Sequence, residues 1–238
     1  MLRNRNALTI VEGLVVVAII FLLIIFLSPF YRGGAREAAR HNLCQNNLKQ
    51  ISLALRNYHD VHGHFPPAYT VDSEGKRLHS WRTLILPYME ETQLAESIDL
   101  TKPWDDPANA KARDTSISCY DCLASDTEPG FTTYLALVGD NRAFAGEKPR
   151  SLDDFDDGAA KTILIIEVDQ KRAVHWMSPY DFEEADGLPF GKETKGAHPN
   201  VNLATFADGH ASSIHRDVDP EVLRGMLKIA GGDKSEED

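Results

Sequence analysis

From Leu8 to Leu27 the chain is apolar except for Thr9, Glu12 and Gly13. Twenty such residues in a helix span about 30 Å, the thickness of a bilayer's hydrocarbon layer. From Leu14 to Leu27 there is no polar side chain at all, whereas a helix of a water-soluble core shows one every third or fourth position. Residues 8–30 are therefore read as a transmembrane helix, and everything after them has to fold outside it. A secretory signal fits less well, because its apolar stretch is about 7–15 residues and ends at a small-x-small cut, while this run is longer and leaves through "SPFYRGG". Arginines flank both ends, Arg3 and Arg5 before and Arg32, Arg36 and Arg40 after, so charge alone does not orient the span. A carboxylate inside such a segment is costly and is normally functional, which singles out Glu12.

Beyond "RGGA" the pattern stays helical. Cys44, Leu48, Ile51, Leu55 and Tyr58 recur at spacings of four and three, one apolar stripe that predicts a stem helix over 31–62 with Gly63 as its stop. Cys44, lying on that stripe, reads as a small buried hydrophobe. "HSWRTLILPYMEETQLAESI" predicts short helices broken at Pro87, and "KPWDDPANAKAR" a Pro-rich loop with a helical turn. "TTYLALVGD" and "KTILIIEV" read as strands, and "NVNLATFADGHASSIH" as a hairpin turning tightly at Asp208-Gly209. Asp219 caps a last helix that starts at Pro220 and stops at Gly231. The head is thus 63–232, and the acidic tail 233–238 is expected to be disordered.

The chain of 238 residues is long enough for one such head plus its appendage. A formal net charge of −11 excludes a nucleic-acid surface, which needs clustered Lys and Arg. The three cysteines, Cys44, Cys119 and Cys122, cannot all pair within one chain; Cys119 and Cys122 either close a small loop or stay reduced.

Three groups of residues are candidates for chemistry. His59, His62 and His64 lie close together, two of them on one helix face, where imidazoles suit Zn²⁺ if another ligand arrives; with no fourth ligand identifiable, a polar helix end with exposed histidines is the preferred reading. His198, Asp208, His210 and His215 gather at the hairpin, yet no nucleophile with a matching base can be named, and turn geometry accounts for Asp208-Gly209. Asp153, Asp154, Asp156 and Asp157 fall within six residues, an oxygen-rich turn suited to Ca²⁺ but without the EF-hand spacing. No phosphate-binding Gly loop, G-x-S-x-G elbow or H-E-x-x-H occurs, so the expectation is a protein that is not an enzyme.

The N-terminus resembles the class III signal of type IV prepilins and pseudopilins: a basic leader, 1–7 ("MLRNRNA"), a cut between Ala7 and Leu8, then an apolar helix with Glu12 fifth and Pro29 twenty-second in the mature chain. Ala7 stands where that family prefers Gly, and Leu8 where it has Phe or Met. The resemblance implies processing by a prepilin peptidase and a contact of Glu12 with the amino terminus of a neighbouring subunit. It implies a single-pass protein of the inner membrane, with its leader cytoplasmic and its head outward. It also implies an α+β, pilin-like fold, a long helix whose stem half packs on an antiparallel sheet with short helices. Some pseudopilins hold Ca²⁺ in a loop of the head, which gives the aspartate run its interest; no other cofactor is implied.

Further segments, "CQNNLKQISLALRNYHDVHGHFPPA", "SWRTLILPYME", "PWDDPAN", "DGAAKTILIIE" and "HPNVNLATFADGH", resemble a bacterial family of prepilin-type proteins named for its His-X9-Asp-Gly motif. Here that motif is His198, nine residues, Asp208 and Gly209. The family's Cys-Pro-Ser-Asp stretch reads "CLASD", from Cys122 to Asp126. The expected function is a structural or minor subunit of a fibre or a type II secretion-like assembly, partnered by the membrane and other pilin-like subunits. The alternatives are a membrane-tethered envelope binding protein and a metal-dependent enzyme using His198, Asp208 and His210.

Overall fold

A computed structural model describes residues 9–231, the side chains of 26–33 excepted. The leader, with Ala7, the residue Leu8 after it, and the tail 233–238 lie outside the described residues. The chain falls into two compact units that divide between Arg40 and His41.

Helix α1 runs from Ile10 to His62, and its backbone stays helical through Pro29 and the Gly33-Gly34 pair. Its stop is the one expected: Gly63 takes φ +78° and donates its N–H to the His59 carbonyl at 2.7 Å, a left-handed terminus that glycine adopts without strain. Within the first unit, thirteen of the sixteen residues 10–25 are exposed large apolar side chains, so nothing in this unit covers them. Among the described residues no helix is long and apolar enough to cross a membrane. The expected span, 8–30, extends beyond the side chains described.

The second unit is the head, and residues 41–62 of α1 are built into it. After α1 come a two-stranded ribbon, β1 (Tyr69–Val71) and β2 (Arg77–Ser80), and three short helices, α2 (Trp81–Leu84), α3 (Thr92–Glu96) and α4 (Ala110–Arg113). Strands β3 (Phe131–Thr132), β4 (Tyr134–Val138), β5 (Ile163–Glu167), β6 (Val174–His175), β7 (Phe182–Glu183), β8 (Val201–Phe206) and β9 (Ala211–His215) precede helix α5 (Pro220–Met226). The main sheet has the order β7-β4-β5-β8-β9, and β3 pairs with β6 separately. The sheet expected to be antiparallel is mixed, since β4 and β7 pair in parallel. Helix α5 ends at Met226, short of Gly231, because Leu227 already closes its last turn.

Both faces of the sheet are covered. Cys44, Leu48, Ile51, Ala54 and Leu55 of α1 pack on Tyr134, Ala136, Ile165 and Leu203. Leu135, Leu137, Ile166, Ala204 and Phe206 face the other way, onto Leu223 and Leu227 of the α5 segment. β5 and β4 therefore read as continuous apolar runs, as strands buried on both sides do. The hairpin turn is wider than the two residues expected: Phe206 donates to the His210 carbonyl at 3.0 Å, while Ala207 and Asp208 are held by the Thr162 and Ala159 carbonyls.

Candidate functional site

In the first unit, Thr9 and Glu12 form a reciprocal capping box. The Thr9 N–H and hydroxyl donate to Glu12 Oε2 at 2.8 and 2.9 Å, and the Glu12 N–H reaches Thr9 Oγ1 at 3.4 Å. "TIVE" is thus a helix-start signature as well as part of the stretch that resembles a prepilin signal. The Pro29 side chain lies outside what is described.

In the head, the structure gathers four side chains that the sequence keeps far apart. Cys44 points inward from α1, Cys122 follows a 3₁₀ turn over Ser118–Tyr120, Glu167 ends β5, and His198 lies three residues before the first residue of β8. All four are buried, and their ligating atoms lie within 4.8 Å of one another. Cys44 Sγ is 2.9 Å from Cys122 Sγ, Cys122 Sγ is 2.8 Å from Glu167 Oε1, and His198 Nε2 is 3.7 Å from Glu167 Oε2. Among the described residues this is the one group of three or more such side chains so closely placed. Cys119 points elsewhere in the core, so the C-x-x-C pair does not close its small loop; all three cysteines are free.

Burial pushes the Glu167 carboxyl up to about 7, against the Cys122 hydrogen bond and the nearby His198. The hydrogen bond between Cys44 and Cys122 draws Cys44 down to about 4 despite its burial, and the same contact drives Cys122 upward. Cys122 carries a single thiol hydrogen, which cannot serve both Cys44 and Glu167. Around the cluster, the Asn202 amide donates to the Glu167 carbonyl at 2.8 Å, and Arg216 Nε donates to Asn202 Oδ1 at 2.7 Å. Arg216 also bonds the carbonyls of Val201 and His198. His41 stands edge-on to the His198 ring, 5.2 Å between centroids, and meets Ser213 Oγ at 2.9 Å.

The His-X9-Asp-Gly residues sit at the two ends of β8. Asp208 and Gly209 occupy its far turn, where Arg56 Nη1 donates to the Asp208 carbonyl at 2.5 Å and Ser52 Oγ to the Gly209 carbonyl at 3.0 Å. Burial opposes ionisation of the Asp208 carboxylate, but the His210 N–H and ring, with Arg56 beside them, outweigh it and hold it below the ordinary range. The His210 ring stacks on Phe206, and His215 is exposed beside Asp217. A six-residue strand spans about 20 Å, so His198 cannot share an ion with Asp208 and His210, and the enzyme site drawn from those three is not assembled.

The histidines at the end of α1 are likewise separately engaged. His62 stacks on Tyr58 and meets the Tyr88 hydroxyl at 3.0 Å, His64 bonds the Phe65 carbonyl, and His59 lies by the Phe65 ring. In the aspartate run, Asp154 makes a capping box with Ser151, and Asp157 accepts from the Gly231 N–H. Neither group converges as a ligand set.

An open cleft of about 720 Å³ lies beside the ribbon, lined by Tyr69, Arg77, Lys148 and Glu183 among others. Arg77 stacks on Tyr69 at 4.0 Å and pairs with Glu183 at 2.8 Å.

An α+β head built on the second part of a long N-terminal helix is therefore the class of protein defined here. Residues 34–136, somewhat less than half the chain, match the model of a family described as a protein of unknown function (DUF1559), a family associated with prepilin-like proteins. No curated protein and no solved structure matches the chain.

Proposed function

We propose that this chain is a non-enzymatic, pilin- or pseudopilin-like membrane protein, a structural or minor subunit of a fibre or secretion-type assembly. One observation carries the reading: a single helix is apolar and uncovered over 10–25, yet supplies the core stripe of a folded head from Cys44 to Leu55. Uncovered apolar surface on that scale needs a lipid or protein environment. The prepilin-type signal around Ala7, Leu8 and Glu12 and the family match over 34–136 support the same reading. In it, prepilin peptidase cuts after Ala7, the helix crosses the inner membrane, and the head stands outside.

Single cysteines introduced at Leu14 or Val17, in a chain whose native cysteines are buried, test the assembly. Stem-to-stem crosslinks in cells, giving dimers and larger ladders, are the expected result. Monomers alone would favour the second reading, a membrane-tethered binding protein. The charged cleft at Arg77, Lys148 and Glu183 is what supports that alternative.

A further inference from the structure

Cys44, Cys122, Glu167 and His198 come from four separate segments, "CQNNLKQ", "CLASD", "KTILIIE" and "HPNVN", each of which belongs to a stretch that carries the family resemblance. Every one of them contributes a single side chain, and it is the side chain that turns into the same buried spot. We propose that this spot is a structural binding site for a soft divalent cation of the zinc type, held by Cys44 Sγ, Cys122 Sγ, His198 Nε2 and one Glu167 carboxylate oxygen.

Three arguments support the assignment. The first is chemical: two thiols, an imidazole and a carboxylate are the donor set that zinc takes, and four protein ligands leave no open position, the mark of a structural site. The second is geometric. Zinc–ligand distances of about 2.0–2.3 Å in a tetrahedron place the ligand atoms about 3.3–3.8 Å apart. The His198–Glu167 separation of 3.7 Å already matches, and the two sulfur contacts at 2.9 and 2.8 Å need to open by less than the width of an atom. The third is electrostatic. Two thiols, an imidazole and a carboxylate meet in an apolar core, and Glu167 Oε2 makes no hydrogen bond, with His198 Nε2 3.7 Å away. A buried set of that kind is costly unless a cation balances it.

Binding would release the thiol protons as the sulfurs coordinate, and would tie α1, the 118–122 turn, β5 and β8 at one point. The rival chemistry is a Cys44–Cys122 disulfide. Peptide mapping and metal uptake after reduction separate the two. The proposal is independent of how the chain sits in a membrane.

The test uses the full chain purified in detergent, stripped with a chelator under reducing conditions, and titrated with Zn²⁺ and separately with Co²⁺. One equivalent of zinc by elemental analysis is expected, with thiolate-to-cobalt charge-transfer bands and the visible bands of tetrahedral cobalt. Cys119→Ser should keep the full equivalent, while Cys44→Ser and Cys122→Ser lose it. The stoichiometry of the unaltered chain decides the matter even if those variants fold poorly. A reduced chain with native circular dichroism and no stoichiometric metal overturns the proposal. So does peptide mapping that finds a Cys44–Cys122 disulfide in protein that takes up no metal after reduction.

Discussion

Arg82 is fully buried, and its guanidinium donates to Asp181 at 2.6 and 3.3 Å and to the carbonyls of Tyr134, Trp176, Ser178 and Tyr180. Asp181 in turn accepts from the Ala136 N–H and the Trp81 indole. This pair pins α2 to β4 and the loop before β7, and removing one partner would strand a charge. Asp181→Asn should cost about 3–5 kcal/mol in urea unfolding, with much of the loss recovered when Arg82→Met is added. An unchanged midpoint for the single variant would show the pair to be dispensable. His79 is a second buried titratable group, its Nε2 2.7 Å from the Lys102 carbonyl, and burial lowers its pKa despite that bond. The unfolded chain then binds a proton that the folded chain refuses. The His79 contribution is therefore intact above about pH 6.5 and is lost as the pH falls below it. His79→Gln should flatten this dependence, so the parent is expected to lose more melting temperature between pH 7.5 and 5.5 than the variant does. None of these partnerships was legible in the sequence. Arg82 and Asp181 are 99 residues apart, as far beyond local patterning as the four members of the cysteine cluster. Only residues that meet through a helix turn or a strand pleat announce themselves by spacing.

Elements fared better because their periods are local. The stripe from Cys44 to Tyr58, the Gly63 stop, the short helices around Pro87 and the Asp219-Pro220 start were all legible. The second cover of the sheet was not, because Ala204 and Phe206 look like the outer face of a hairpin until α5 is placed on them. The His-X9-Asp-Gly spacing acquires a structural account at this scale. β8 with its flanks lies along α1 from His41 to Arg56, fifteen residues or about 22 Å of helix, and each motif end meets α1 at its own point. Gly209 adopts φ +99°, and a Cβ there would come within 2.7 Å of Arg56 Cδ. Gly209→Ala should destabilise the head by about 1–2 kcal/mol, read as a lowered thermal midpoint; no change would mean that the turn can move off α1.

At the scale of the whole molecule, the observed capping role of Glu12 and the assembly role proposed for it are confounded by a single substitution. As the partner of Thr9 it caps α1; in the proposed assembly it is also an intramembrane carboxylate that meets a neighbouring subunit. Thr9→Ala breaks the box but keeps the carboxylate, whereas Glu12→Ala removes both. The assembly reading expects Glu12→Ala to abolish stem crosslinks while Thr9→Ala retains most of them, with membrane insertion normal in both. Equal losses would reduce Glu12 to a cap. In the proposed assembly, the attachment of β8 also bears on how the head takes a load. A pull transmitted along α1 reaches the sheet near Cys44 and near Arg56 at once, so the load is shared in shear along the strand and is not concentrated at one end. Such a head resists being unzipped residue by residue and gives way, if at all, as a unit.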